Sequence, residues 1–365
     1  MRAEAAIEET AGGTFKQVLR LAKYSNGSEI NAMWRSGVDI YTMDRADLKD
    51  VPLIRGGAPE SVTLPRTALV GKFIDFIRDW RGWYDNLEGK DKIPWNWLPV
   101  VQFGLARKAA VDMRLVNPDL PDDPGSKTNW VVNEVFRVWK ETKEDLSTQA
   151  IFSNLMNSHD PTKMWLNEEQ GIPNPLFGKK PFSLFGDIKR KLVALGVPDE
   201  EIADVSELKR DQAELYATLL NEGVVRIALG STETLGTGLN FQNRLLELYH
   251  MDIQFRPMDN IQRNGRAVRQ GNKNPVVGIR SLGMDRTLDS TMADINLRKA
   301  GFIAQAEQGK MGQEFEDPSD ESTLTFQDMA AAFSGNPLAA KKFALGNEVR
   351  KLEVLQEDHF RRLGN

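Results

Sequence analysis

Residues 224–272 read VVRIALGSTETLGTGLNFQNRLLELYHMDIQFRPMDNIQRNGRAVRQGN, and the alternation within this stretch decides the fold. VVRIALG (224–230) is a short apolar run bounded by turn residues, the pattern of a buried strand. A loop rich in Gly and Thr follows, then a second strand, ELYHMDI (247–253), a basic stretch with helical spacing (258–272), and a third strand, PVVGIRSLG (275–283). Working back toward the amino end, the chain offers a helix in ELKRDQAELYATLLNEG, a short strand in IADVS, and a helix in FSLFGDIKRKLVALG. A polar insertion up to Lys180 precedes these, then a strand in TQAIFSN (148–154) and a helix in WVVNEVFRVWKET. Strands separated by helices of this length need crossover connections, which predicts an α/β fold: a doubly wound, mainly parallel sheet covered on both faces.

Pro and Gly crowd PDLPDDPGSK (118–127) and predict a boundary there. Residues 1–127 form a mixed accessory region, helical and irregular, with helices expected over Phe15–Tyr24 and Leu69–Trp83. The tryptophans of DWRGWYDN (79–86) and IPWNWLP (93–99) are read as packing residues. The sheet domain spans 128–309, an acidic linker 310–332, and a helical tail 333–365 in which Leu345, Val349, Leu352 and Leu355 make one apolar stripe.

The chain has 365 residues, enough to bury a sizeable core, and no Cys, which excludes disulfides, thiolate zinc sites and cysteine nucleophiles. Three scattered histidines (His159, His250, His359) offer no metal-ligating set. A net charge of -5 excludes a chain that is basic all over but leaves room for a local basic face. The opening MRAEAAIEETAGGTF has neither an apolar core nor a basic leader, and no stretch approaches a membrane span. The expectation is a protein of a cytoplasm, or one packaged with something made there, with no membrane partner.

In open α/β sheets, ligands sit outside the carboxyl ends of the strands, so the loop after VVRIALG, residues 231–242, is the first candidate. Gly236 and Gly238 would let backbone amides approach an anion, and Ser231, Thr232, Thr234 and Thr237 supply hydroxyls. The second candidate is the basic stretch, where Arg263, Arg266 and Arg269 are spaced by three and would project along one drifting helix face. From Arg256 to Lys299, Arg256, Arg263, Arg266, Arg269, Lys273, Arg280, Arg286, Arg298 and Lys299 oppose only Asp259, Asp285, Asp289 and Asp294.

GSTETLGTGLNFQ resembles motif V of superfamily 2 helicases and QRNGRAVRQGN resembles their motif VI, with a strand between them. Residues 224–272 resemble most closely the helicase half of the DarB-like DNA methylase/helicase antirestriction proteins of phages and plasmids. Weaker resemblance extends through RKAAVDMRLV (107–116), residues 182–202, KAGFIAQ (299–305) and FSGNPLAAKKFALGNEV (333–349). The resemblance implies a RecA-like helicase C-terminal domain. It implies that Arg266 and Arg269 are arginine fingers reaching a γ-phosphate, and that Gly236, Gly238, Asn240, Gln262 and Arg263 belong to the nucleotide site, Arg263 by holding the cleft together. Ser231, Thr232, Thr234, Thr237 and Gln242 are the implied nucleic-acid contacts, on DNA rather than RNA.

A helicase motor also needs a phosphate loop, G-x-x-x-x-G-K-[ST], and the chain has none: Gly71-Lys72 is followed by Phe73 and lacks the earlier glycine. DEST (320–323) spells an acidic helicase motif but lies in the polar linker. ATP and Mg2+ are therefore expected as cofactors only when a partner domain brings a phosphate loop. Three arrangements fit: a split motor completed by a second chain, a non-catalytic DNA-binding or phage virion protein derived from a helicase, and a product of a larger methylase/helicase.

Overall fold

The computed structural model describes residues 2–9, 15–23 and 50–308, apart from 96, 159–180, 207 and 237–238, together with 29, 32, 33 and 36–38. The acidic linker, the helical tail and most of the polar insertion before Lys180 lie outside the described residues.

Among the described residues the sheet has seven strands, all paired in parallel. β3 (Leu53–Ile54) and β4 (Glu60–Leu64) share one side of β9 (Val276–Met284). Beyond β9 come β8 (Leu245–His250), β5 (Thr148–Phe152), β7 (Ile227–Gly230) and β6 (Ile202–Asp204). This is the doubly wound α/β architecture expected from the alternation of apolar runs. The central strands are buried on both faces, so their side chains alternate between two cores rather than between core and solvent. Ile151 of β5 joins Ile227, Leu229 and Tyr249 beneath α3 (Lys127–Glu141) and α4 (Leu184–Ala194). Its neighbours Ala150 and Phe152 face Leu248 and Ile279 beneath α5 (Arg210–Glu222) and α6 (Pro257–Ala267).

Local signals set several helix ends. The Ser126 hydroxyl accepts the Asn129 amide at the start of α3, Ser183 does the same for Gly186 in α4, and Pro257 occupies the first turn of α6. Gly223 closes α5 at φ 82°, the left-handed conformation that a side chain disfavours.

The amino-terminal region is more regular than expected, and part of it belongs to the sheet. The helix expected over Leu69–Trp83 is α1 (Ala68–Asp85), which packs with α2 (Leu98–Val111) over Met284 and Leu288. Trp83, Trp95 and Trp97 pack on one another, with ring centroids 5.1 and 5.8 Å apart. β3 and β4, drawn from residues set apart as accessory, extend the sheet at its β9 edge. The helix expected over Phe15–Tyr24 is instead the strand β2 (Phe15–Lys23), antiparallel to β1 (Arg2–Glu9). The register sets Glu4 opposite Arg20 and Glu8 opposite Lys16, a pairing that helical spacing within one segment does not reveal.

α7 (Leu288–Gln308) closes the described body, and its first turn is fixed by a buried ion pair. Lys127, fully buried, places its ammonium 2.7 Å from the Asp289 carboxylate and donates to the Met251 carbonyl at 3.2 Å. Asp289 in turn accepts the Met284 amide, so one pair ties α3 and α7 to the ends of β8 and β9. Removing one partner of such a pair leaves an uncompensated buried charge. Lys127→Ala should therefore cost about 3–5 kcal/mol of stability in denaturant unfolding; an unchanged midpoint would refute the role given to this pair.

Candidate functional site

The carboxyl ends of β5, β7 and β8 converge on a single side chain. Arg263, on the inner face of α6, is 0% exposed. Its Nε donates to the Thr232 hydroxyl at 2.8 Å, and its terminal nitrogens reach the Asn154 amide oxygen at 3.1 Å and the Asp252 carboxylate at 3.3 Å. The guanidinium lies 5.3 Å from the centroid of the Phe152 ring. Asn154 follows β5, Thr232 follows β7 and Asp252 follows β8, so one cation fastens three loops.

The loop after β7 is built largely to hold itself. The Ser231 hydroxyl accepts the Thr234 amide at 3.1 Å, and the Thr234 hydroxyl accepts the Ser231 amide at 2.9 Å. The Thr232 amide donates to Asn154 at 2.9 Å. A Cβ on Gly236 would lie 2.4 Å from the Thr232 carbonyl oxygen, so close approach of backbone requires glycine there. The hydroxyls of Ser231, Thr232 and Thr234, singled out as nucleic-acid contacts, are thus engaged inside the protein. Thr237 and Gly238 lie outside the described residues. Asn240 is exposed with its carbonyl bonded to Asn221, and Gln242 reaches the Gln270 carbonyl at 3.4 Å.

The three regularly spaced arginines separate into three environments. Arg263 is internal, so its place in the candidate nucleotide site is that of a strut. Arg266, half-buried, donates to the carbonyls of Gly236 at 3.1 Å and Leu239 at 2.7 Å and straps the glycine loop to α6. Burial first, and then the charge of Arg269, lowers its pKa, and no carboxylate partners it among the described residues. Arg269 lies two residues past the end of α6, not on the helix face expected from the spacing, because the helix stops at Ala267. It is partly exposed and has no side-chain hydrogen bond or ion pair among the described residues. Gln262 is exposed on α6 and likewise without such a bond. Two adjacent cations without a counter-charge repel one another until an anion arrives, which is the chemical capacity of this edge.

Several residues that complete the arrangement were not singled out from sequence. Asn154 and Asp252 sit just past strands, where the rule applied to the β7 loop would have found them. Arg107 comes from α2, with no local signal; its guanidinium donates to the Ile253 carbonyl at 3.0 Å and lies 3.7 Å from Asp252. His250 bonds Asn264 through Nε2 at 2.7 Å and turns Nδ1 toward Arg263. Burial, reinforced by the Arg263 charge, pushes its pKa down to about 3, so the ring is neutral. At the start of α3, Lys127 and Thr128 spell the end of a phosphate loop, but the Lys127 ammonium is committed to Asp289. No group of three or more His, Asp or Glu suited to a metal occurs among the described residues, and none of their helices is long and apolar enough to cross a membrane.

No protein-family model matches the chain, and no curated protein matches it. Among solved structures the chain is similar to the C-terminal part of the Fun30 ATPase domain, with a TM-score of 0.47 and 14% identity over 67% of this chain and 90% of that one. It is also similar to the SWI2/SNF2 ATPase core of Sulfolobus solfataricus in complex with dsDNA, with a TM-score of 0.45 and 15% identity over 84% of this chain and 55% of that one.

The neutral His250 sets a pH dependence of stability. Unfolded, the ring binds a proton below its ordinary value of about 6.5; folded, it does not until about 3. Between those values the unfolded state holds the extra proton, so stability is full above about pH 6.5 and falls as the pH drops, by about 1.4 kcal/mol per pH unit from this group. Urea unfolding between pH 7.5 and 5 checks this, and a flat midpoint would rule out the buried neutral ring.

Proposed function

We propose that this chain is the second motor domain of a superfamily 2 DNA helicase or translocase. Its ATP site is completed by a phosphate-loop domain on another chain or in a larger precursor. The observation that carries the reading is the pair Arg266 and Arg269 at the carboxyl edge of the sheet: neighbouring cations with no carboxylate partner among the described residues, one of them also without a side-chain hydrogen bond there. A pure scaffold has no use for such a pair, whereas a phosphate bound by a partner domain would neutralise it.

ATP with Mg2+, held by that partner, supplies the phosphoryl group and its leaving group. On this chain, Arg269 reaches the transferring phosphate, and Arg266 holds the loop at Gly236 and Leu239 in register with α6 while adding its own charge. Arg263 keeps the three strand ends fixed so that neither finger has to be reoriented during turnover. DNA lies along the outer side of the loop, near Asn240 and Gln242, and is contacted mainly through its phosphates. The resemblance of residues 224–272 to DarB-like methylase/helicase proteins supports a finer reading: an antirestriction protein of a phage or plasmid, acting in the bacterial cytoplasm or carried in a virion.

Arg269→Ala should lower ATP turnover of the assembled motor by roughly a thousandfold or more while leaving the fold intact, since arginine fingers contribute on that scale. Unchanged turnover in a folded variant would sink the finger assignment. Affinity for duplex DNA should fall steeply with salt and show little base preference; a salt-independent affinity measured by fluorescence anisotropy would count against DNA as the substrate. Purification of the native chain with its companions distinguishes the arrangements. A companion with a phosphate loop supports the split motor, and capsid proteins without one would mean a binding or structural role instead.

A further inference from the structure

One row of exposed apolar side chains runs across neighbouring elements. Phe255, Met258 and Ile261 are 45%, 44% and 44% exposed and lead from the β8–α6 loop into the first turns of α6. Phe255 stacks on the half-buried ring of Phe103 in α2, with centroids 5.6 Å apart, and Val100, one turn earlier in α2, is 76% exposed. Phe255 is held in this outward position rather than being loose. The Arg107 guanidinium lies 4.4 Å from its ring centroid, and the Lys299 ammonium donates to its backbone carbonyl at 2.5 Å. Farther along α6, a Cβ added to Gly265 would meet nothing within 4 Å, so this side of the helix is open to a close neighbour.

The sequence contains an apolar stripe that nothing in the described body or the proposed motor chemistry has used: Leu345, Val349, Leu352 and Leu355. Where the chain leaves the body connects the two. Lys299, in contact with Phe255, precedes the end of α7 at Gln308 by nine residues, so the chain departs within about 14 Å of the row at the helical rise of 1.5 Å per residue. Residues 309–344 lie between that point and the stripe, and at up to about 3.3 Å per residue this length of chain is ample to return there. Charges agree as well. Arg256, 77% exposed, and Lys299 border the row, while helical spacing sets Glu353 beside the stripe.

We propose that residues 345–355 form an amphipathic helix that lies along the Phe255–Met258–Ile261 row of the same chain, apolar stripe inward, with Glu353 toward Arg256 and Lys299. This mode is helix-in-groove recognition made intramolecular, and the tether raises the effective concentration of the helix at its site.

The natural chain has no cysteine, so a single engineered pair reports the contact directly. The full chain carrying Met258→Cys and Leu352→Cys should form an intramolecular disulfide under mild oxidation, seen as a linked peptide pair in monomeric protein. The control pair Val193→Cys and Leu352→Cys, with the first site on α4 at the opposite face of the sheet, should not. A second readout uses the native methionine: oxidation of Met258 by dilute peroxide, followed by mass spectrometry, should be several-fold faster in the full chain carrying Val349→Asp and Leu352→Asp. Linkage found only between chains would assign the row to a second copy and overturn the proposal. Linkage no better than the control, with Met258 oxidised at the same rate in both proteins, would overturn it in favour of a free row or a foreign partner.

Discussion

The guanidinium of Arg263 holds the functional edge together. Three parallel strands end side by side, and each delivers to that end a polar group that needs a partner: the Asn154 amide oxygen, the Thr232 hydroxyl and the Asp252 carboxylate. A planar fork of donors can satisfy all three at once, and a lysine in the same place could not, because a compact ammonium lacks that geometry. Burying a cation this completely is tolerable only because Asp252 and the neutral His250 share the space, and the neutrality of His250 is itself imposed by burial and by the arginine. The strand ends, the α6 helix and the glycine loop therefore behave as one unit.

That unit explains how three arginines on a regular spacing come to do different things. Arg263 faces inward and is consumed. Arg266, one turn later, reaches two carbonyls of the loop and is half consumed. Arg269 falls after the helix has ended and remains available. Placed on one continuous helix face, the three would repel one another with no separation of roles; the end of α6 at Ala267 distributes them in depth instead. The same economy shows in Lys127, whose position at a helix start beside Thr128 suits phosphate binding by type but whose charge holds the body together.

The parts contributed by α2 and the amino-terminal strands belong to this logic. Arg107 reaches Asp252 and braces Phe255, and β4 lengthens the sheet along β9 so that Met284 and Asp289 sit where α7 must begin. A core that stopped at residue 128 would lose the second cation against Asp252 and leave the outer side of β9 as an open edge.

The sequence by itself determined the order and type of the central elements. Apolar runs such as TQAIF and IALG, continuous because a parallel strand is buried on both faces, can be read without any partner in view. The edge where the strands' carboxyl ends gather, and with it the candidate site, was legible for the same reason, since it follows from strand direction. Tertiary structure alone decided what depends on distant residues. β2 became a strand because β1 offers it a partner in register; β3 and β4 joined the sheet across more than two hundred residues of chain; and Asn154 and Asp252 met Arg263, with Arg107 meeting Asp252, from four separate elements. It also decided which hydroxyls and which arginine are spent internally. Spacing records only that residues of a given chemistry recur; whether a donor is free depends on what the fold brings within hydrogen-bonding distance, and Arg263 finds Thr232 and Asn154 31 and 109 residues away.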